Sequence, residues 1–237
     1  MKEKHKYHIR DYLNIIIFYC TFLSFFVASI MGIVGVAKGE LEPNKLVYRL
    51  VLTFVVCIPY LLKKIFRFKI STLATSVVYL YIFIAGFMGV VLEFYSKIYW
   101  WDVIVHFLMG LIISVFSIYI LNATIYKKDT SKHNLFFTYL FMIAFAVFVG
   151  VIWELCEFAV DGIFNTGFQR YVTYEGFVLV GREALLDTMV DLLVDFAGAL
   201  MGVSVTSLTL NYYPSFLKTF KIKKLKKLEE EIENIEE

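Results

Sequence analysis

The chain has 237 residues, of which 59% are hydrophobic and only 19% are charged. An ordinary soluble domain is about half apolar and roughly a quarter charged, so this composition argues against a water-soluble protein. The formal net charge of +2 gives no reason to expect nucleic acid as a partner.

Six long apolar blocks predict six transmembrane helices, because crossing a hydrocarbon core of about 30 Å takes about 20 mainly apolar residues. In chain order the blocks are Tyr12–Val36, Leu46–Leu62, Ile70–Tyr95, Val103–Tyr126, Leu135–Val160 and Ala184–Leu210. The first block is longer than the roughly 7–15 apolar residues of a signal peptide, so we expect a retained helix. The predicted fold class is all-α, with one transmembrane bundle over residues 1–211 and a charged tail over residues 212–237.

The basic residues predict the orientation of this bundle. Lys and Arg cluster before the first block and after the second, fourth and sixth blocks, whereas the other loops are mixed or acidic. Because cytoplasmic loops carry an excess of Lys and Arg, we expect both termini in the cytoplasm and multi-pass insertion in the cell membrane. The segment from Lys218 to Glu237 predicts a solvated or surface-lying helix, and contact of its lysines with anionic lipid is an open alternative.

The loop over residues 162–182 predicts a small hairpin on the outer side. Two β-prone runs, Tyr171–Tyr174 and Phe177–Val180, flank the pair Glu175-Gly176. This arrangement is typical of a two-residue turn. A single hairpin is marginally stable in water, so we expect it to rest on the helix ends.

Ionisable residues recur at helical spacing in the last three blocks. The sets are Asp102 and His106 on the fourth block, Glu154, Glu157 and Asp161 on the fifth, and Asp187, Asp191 and Asp195 on the sixth. At about 100° per residue, each set forms one polar stripe on its helix. Because the three helices cross in alternate directions, the stripes are predicted to meet in the outer portion of the membrane.

Up to seven carboxylates close together repel one another, so some must be protonated, paired or bound to a cation. Carboxylates with one imidazole suit Mg²⁺, Mn²⁺, Ca²⁺ or Zn²⁺. The candidate metal ligands are Asp102, His106, Glu154, Glu157, Asp187, Asp191 and Asp195. The alternatives are solvated or capping roles for the three carboxylates at the helix ends, and a structural polar network for the deeper residues.

The same cluster supplies candidates for catalysis and substrate binding. His106, Glu154, Glu157 and Asp191 are the candidate acids and bases. Arg170 and Arg182 in the loop are candidates for holding a phosphate, and Trp153 adjoins the acids. No HExxH, paired-cysteine or phosphate-loop motif is present, so the spacing alone identifies no reaction.

Other small residues have a simpler interpretation. Gly198 and Gly202 form a GxxxG spacing, which predicts close helix packing. The three cysteines, Cys20, Cys57 and Cys156, lie in apolar blocks and are expected to be buried.

Three stretches resemble a known family: Trp101–His106 (WDVIVH), Trp153–Glu157 (WELCE) and Asp187–Leu192 (DTMVDL), the last followed by Gly198-Ala199. They resemble the motifs of the bacterial YjdF-like inner-membrane proteins and, more distantly, of the VanZ-like proteins. The resemblance covers roughly residues 100–202. It implies a bacterial integral membrane protein and supplies no reaction.

VanZ-like proteins are associated with resistance to lipoglycopeptides. Asp195 stands where those proteins tend to have Asn, and Arg182 only approximately matches their arginine before the acidic stripe. We therefore expect no resistance role from the resemblance.

Three functions remain open. The first is a metal-dependent hydrolase or transferase acting on an outer-leaflet lipid or envelope precursor. The second is a cation- or proton-coupled transporter, although none of the three prolines lies in the polar helices. The third is a non-catalytic envelope-interaction protein. Membrane lipids are the expected partners, and a homo-oligomer is an open alternative.

Overall fold

The computed structural model describes residues 9–65, 68–69, 71–125, 134–164, 166–173, 176–220 and 223–224. Several residues used in the predictions lie outside the described residues: Lys2, Lys4, Lys6, Lys127, Lys128, Lys132, Tyr174 and Glu175. The predicted orientation rests partly on these lysines and stays a prediction.

The all-α fold class is confirmed, since the described residues include six helices long and apolar enough to cross a membrane. The helices are α1 (Ile9–Ala37), α2 (Pro43–Ile65), α3 (Thr72–Ile82), α4 (Phe94–Lys97), α5 (Trp101–Thr124), α6 (Leu135–Phe164) and α7 (Leu186–Tyr212). A helix satisfies its backbone hydrogen bonds internally, which a bilayer requires of a spanning segment.

The third span ends earlier than the sequence predicts. α3 continues as a π-helix over Phe83–Val91, and the chain then turns at Glu93, whose φ of 62° is left-handed. Tyr95, the predicted end of this span, folds back so that its ring lies against Gly89. A side chain at position 89 would prevent this contact.

The chain forms two compact units, and the first comprises residues 1–99 and 221–237. In this unit α1 and α3 are parallel, because Asn14 donates to the Ser76 hydroxyl (2.9 Å) and Phe25 lies against Gly86 further along both helices. α2 is antiparallel to α1: Ser29 hydrogen bonds to Thr53 (3.0 Å). The core of the unit contains Phe25, Val56 and Tyr79.

The first unit also contains a short antiparallel strand pair. β1 (Phe68–Lys69) pairs with β2 (Lys223–Lys224). The prediction of a surface helix over Lys218–Glu237 is therefore wrong at residues 223–224, where ladder hydrogen bonds replace helical ones. Residues 225–237 lie outside the described part of the chain.

The second unit comprises residues 100–220, and its α5 and α7 are parallel and closely packed. Gly198 lies against the carbonyl oxygen of Phe107, and Gly202 lies one turn further along against Leu111 and Ser114. A Cβ at either glycine would overlap α5. The predicted packing role of the GxxxG spacing is confirmed.

α6 runs antiparallel to α7, because Gly150 faces Asp195 whereas Gln169, beyond the end of α6, donates to Thr188 (3.1 Å). This brings the C-terminal end of α6 to the N-terminal ends of α5 and α7.

The cysteine prediction is wrong for Cys20 and Cys156, which are exposed, and Cys57 is partly exposed. Apolar helices in a bilayer present apolar side chains outward as well as inward, so apolar surroundings in the sequence do not indicate burial.

Candidate functional site

The acidic stripes of α5, α6 and α7 meet at one end of the second unit, around His106. This imidazole is 3% exposed. Its Nδ1 lies 3.4 Å from Oδ2 of Asp195, whereas its Nε2 lies 3.8 Å from Oδ1 of Asp102 and 3.9 Å from Oδ2 of Asp191. Three carboxylates from two helices therefore surround one imidazole, with Asp195 on one ring nitrogen and the other two on the second.

Asp102, His106 and Asp191 form a group with the composition of a metal site. One ligand atom from each lies within 4.8 Å of the other two. Ligands around a divalent cation lie about 2.0–2.6 Å from it, so such atoms need only small movements to share one ion. This group contains three of the seven metal ligands that were predicted from the sequence.

Asp195 is fixed by close contacts on both sides. Its backbone carbonyl lies against Gly110 of α5, and its Oδ2 lies against Gly150 of α6. The side chain is fully buried, and Oδ1 has no hydrogen-bonding partner among the described residues. A carboxylate is costly to bury when few groups hydrogen bond to it. This cost argues that Asp195 has a role in the cluster.

Glu154 contributes a second buried carboxylate, one turn after Gly150 on the same face of α6. It is 5% exposed, and neither of its oxygens has a hydrogen-bonding partner in the described part of the chain. Thr188 and Gln169 are its polar neighbours, but neither meets hydrogen-bonding geometry with it. Since buried polar groups are nearly always satisfied, this carboxylate is suited to receive a ligand or a proton.

Arg170 covers the cluster from the loop between α6 and α7. One nitrogen lies 3.2 Å from Oδ2 of Asp102, and another lies 3.5 Å from Oδ1 of Asp187. The backbone of Arg170 has a φ of 47°, which costs about 1–3 kcal/mol in a non-glycine residue. The loop therefore holds this cation in place against two acids of different helices.

Asp161 has a structural role instead. Its Oδ1 accepts from the Thr166 hydroxyl and from the backbone N–H of Phe168 (2.9 Å). Its Oδ2 accepts from the backbone N–H of Gln169 (3.0 Å). The carboxylate therefore organises the start of the loop that carries Arg170.

The loop contains the paired segments that the sequence assigns to a hairpin. Val172 and Val178 form an antiparallel bridge, and Leu179 donates to the carbonyl of Tyr171 (2.8 Å). In this register the turn is one residue longer than the predicted two-residue turn. Gly176, with a φ of 85°, supplies the left-handed residue that such a longer turn uses.

The remaining predicted residues lie at the margin of the cluster. Glu157 accepts a hydrogen bond from Trp153 Nε1 (2.8 Å), and the Trp153 side chain is 50% exposed. Arg182 is exposed and makes no ion pair with a described residue. Among the described residues, no hydrogen bond or ion pair joins Glu157 or Arg182 to His106.

The sequence analysis missed two glycines that shape the site. Gly110 follows His106 by four residues and Gly150 precedes Glu154 by four residues, so each lies on the polar face of its helix. A glycine one turn from an intramembrane acid or imidazole is a signal for a closely approaching partner helix. No comparable sequence pattern identifies Gln169 or Thr188 as a residue near the site.

Comparison with known proteins gives a family but no reaction. Residues 17–212 match the family described as "Predicted membrane protein (DUF2238)". An uncharacterised protein of Thermotoga maritima is 33% identical over 140 residues, which are 59% of this chain and 65% of that protein. The matched part thus covers slightly less than two thirds of this relative. No solved structure matches, and the resemblance to VanZ-like proteins receives no support. The chain belongs to the DUF2238 family of membrane proteins.

Proposed function

We propose that the protein is a YjdF-like, divalent-metal-dependent hydrolase or transferase of the bacterial cytoplasmic membrane, acting on a phosphate-containing lipid or envelope precursor at the outer face. One observation carries the proposal: potential ligand atoms of Asp102, His106 and Asp191 lie within 4.8 Å of one another. The buried, unsatisfied carboxylate of Glu154 beside them supports the assignment.

The two nitrogens of His106 suggest how the ion is held. Nε2 faces Asp102 and Asp191, so His106 and these two carboxylates would hold the cation. Nδ1 faces Asp195, which accepts its N–H and fixes the ring. A carboxylate on the far nitrogen of a metal-bound histidine is a recurrent device that orients the ring and strengthens the ligand.

Glu154 is the proposed general base. A bound divalent cation makes a coordinated water much more acidic, and a buried carboxylate without a hydrogen-bonding partner can accept the released proton. In hydrolysis, a water oxygen would attack phosphorus as Glu154 takes the proton of that water, and the bond to the leaving oxygen would break with its electron pair staying on that oxygen.

Arg170 is proposed to select an anionic substrate. Its positive charge pairs with the carboxylates of Asp102 and Asp187. When a bound cation neutralises these carboxylates instead, the guanidinium can bind two oxygens of a phosphate in its fork geometry. This assigns phosphate esters or pyrophosphates as the substrate class.

Transport of a cation or proton is the second candidate, and buried polar side chains beyond Asp195 favour it. Ser114, Ser117 and Thr206 are all fully buried. However, the two serines donate to carbonyls of their own helix (2.8 and 2.6 Å). Of the three hydroxyls, only that of Thr206 has no hydrogen-bonding partner among the described residues. A single unsatisfied hydroxyl makes no continuous relay, which is why the enzyme is preferred.

Metal content tests the proposal directly. Purified protein is incubated with Mg²⁺, Mn²⁺, Ca²⁺ or Zn²⁺, desalted and analysed for bound metal. We expect one ion per chain, lost in Asp191→Asn and His106→Gln and retained in Glu183→Gln, which removes an exposed carboxylate near the same helix start. Absence of all four ions from the wild-type protein would overturn the metal site.

Catalysis is tested with a prenyl pyrophosphate in detergent micelles. Glu154→Gln is expected to keep the metal and to lose about 10²–10⁴-fold in turnover, the usual contribution of a general base. If the loaded wild-type protein hydrolyses no phosphate ester, while proteoliposomes take up the cation in a manner abolished by Asp195→Asn, the transporter is the correct function.

A further inference from the structure

The loop between α6 and α7 carries an exposed apolar segment, residues 177–180, that takes no part in the acidic cluster. Phe177, Val178 and Val180 are 70%, 68% and 80% exposed. Large apolar side chains that are exposed side by side mark a surface that contacts a protein or a membrane. The segment therefore needs an apolar environment that the described part of the chain does not supply.

Both faces of this segment are apolar and exposed. Val178 forms an antiparallel bridge with Val172, so the backbone here is extended. Successive side chains of an extended strand point to opposite faces. Phe177 and Val178 therefore expose apolar surface on opposite faces, and Val180 lies on the face of Val178. A protein docked on one face would leave the other uncovered, whereas lipid can surround both.

The base of the hairpin lies close to the ends of the spans. Arg170 pairs with Asp102 (3.2 Å) in the first turn of α5. Val172 follows Arg170 by two residues, which reach at most about 7 Å. The exposed Trp100 directly precedes α5, and tryptophan is enriched at the level of the lipid headgroups. The bridge between Val172 and Val178 is therefore held near the headgroup level.

The apolar segment also lies, along the chain, between two lipid-facing span ends. The fifth span ends with Ile163 and Phe164, and the sixth begins with Leu185 and Leu186 in its first turn. All four side chains are more than half exposed. Exposed apolar side chains on a membrane span face lipid, so the bilayer already supplies the apolar environment at both ends of the loop.

The charges of the loop select neither an anionic nor a cationic partner. Arg170 is paired with two aspartates, and the exposed Arg182 and Glu183 have opposite signs. The remaining charge, on Glu175, lies outside the described residues. Charged residues this close to the segment favour the headgroup boundary over the hydrocarbon core, and the apolar side chains determine what the segment contacts.

We propose that residues 177–180 insert into the boundary between headgroups and acyl chains of the adjacent leaflet, the level at which amphipathic segments lie. The inserted segment holds the loop, and with it Arg170, against the membrane surface. This inference concerns the attachment of the loop to lipid and does not depend on the proposed enzymatic function.

Spin labelling in phosphatidylcholine nanodiscs tests the insertion. The three native cysteines are replaced by alanine, and a nitroxide is attached to Phe177→Cys or Val180→Cys. Leu193→Cys, an exposed position within the last span, is the lipid reference, and Glu40→Cys, an exposed position between α1 and α2, is the water reference. Power saturation compares collisions with O2, which is enriched in lipid, and with a nickel chelate, which stays in water. The ratio at positions 177 and 180 should be closer to the Leu193→Cys value than to the Glu40→Cys value.

A charge placed on the segment tests whether its apolar side chains cause the insertion. With the label at position 177, Val180→Asp should shift the ratio towards the water reference, because a carboxylate is costly to bury in lipid. Glu183→Gln, which changes a charge outside the segment, should leave the ratio unchanged. A ratio nearer to the water reference in the parent protein, or no shift in Val180→Asp, would overturn the proposal. Low collision rates with both reagents would overturn it too, because they would show that a protein or a second copy of the chain covers the segment.

Discussion

Gly150 of α6 lies directly against the carboxylate of Asp195 of α7, so that a Cβ at position 150 would overlap Oδ2. The overlap involves a fully buried side chain that also faces His106. The glycine therefore sets how closely α6 approaches the cluster.

Gly150→Ala is expected to lower the free energy of unfolding by about 1–3 kcal/mol, the usual cost of overpacking. The control is Gly162→Ala on the same helix, where an added Cβ has no neighbour within 4 Å. This control should be neutral or stabilising by up to ~1 kcal/mol, because alanine is the better helix former. Thermal melting in detergent measures both, and equal melting temperatures would contradict the contact.

Arg170→Gln should raise the affinity for Mn²⁺, because it removes the cation that competes for Asp102 and Asp187. We expect about a tenfold increase, equivalent to ~1.4 kcal/mol, because solvent screens a side chain that is 34% exposed. Isothermal titration calorimetry provides the measurement. Arg182→Gln removes the same charge without breaking an ion pair among the described residues and should have no effect.

Asp161→Ala separates the structural carboxylate from the functional ones. It removes the acceptors of three hydrogen bonds at the start of the loop and should cost about 1–3 kcal/mol of stability. Metal content should stay at the wild-type value. Loss of the metal at a temperature where the variant remains folded would show that Asp161 belongs to the metal site.

Glu93 predicts a pH dependence outside the spans. The hydrogen bond from Lys45 and the nearby Lys97 lower the pKa of Glu93 from its usual value of 4.5. A lowered pKa in the folded protein stabilises it above the usual value, and this stabilisation is lost as the pH falls through the lowered pKa.

We therefore expect Glu93→Gln to be less stable than the wild type at pH 7 by about 0.5 kcal/mol, as is typical of exposed ion pairs. The difference should disappear at a pH well below 4.5, where the wild-type carboxyl is protonated in the folded protein as well as in the unfolded chain. Melting curves at the two pH values test this, with Glu40→Gln as a control that breaks no ion pair in the described ranges. A difference that persists at low pH would argue against the linkage.

The periodicity of the sequence was sufficient to predict the helices and the helix faces that form the cluster. Continuous apolar blocks define spans, and the offsets between Asp187, Asp191 and Asp195 place them on one face. Alternate crossing then brings these residues to the same end as His106. These inferences depend only on helix geometry and on the bilayer.

The sequence could not give the pairwise contacts within that end. The roles of Asp161 and Asp102 differ because a loop folds back on one and Arg170 reaches the other, and neither contact leaves a periodic signal. The register of the hairpin and the turn that follows the third span depend on local backbone torsions at Gly176 and Glu93.

The parallel packing of α5 and α7 has a consequence for biosynthesis. Asp102 and His106 on α5 are synthesised first. The acids of α6 follow before α7, which completes the site, has been made. His106 and Glu154 are therefore synthesised before their partners on α7. The cluster can form only once α7 has been made, so the order of synthesis makes α7 the helix that completes the second unit.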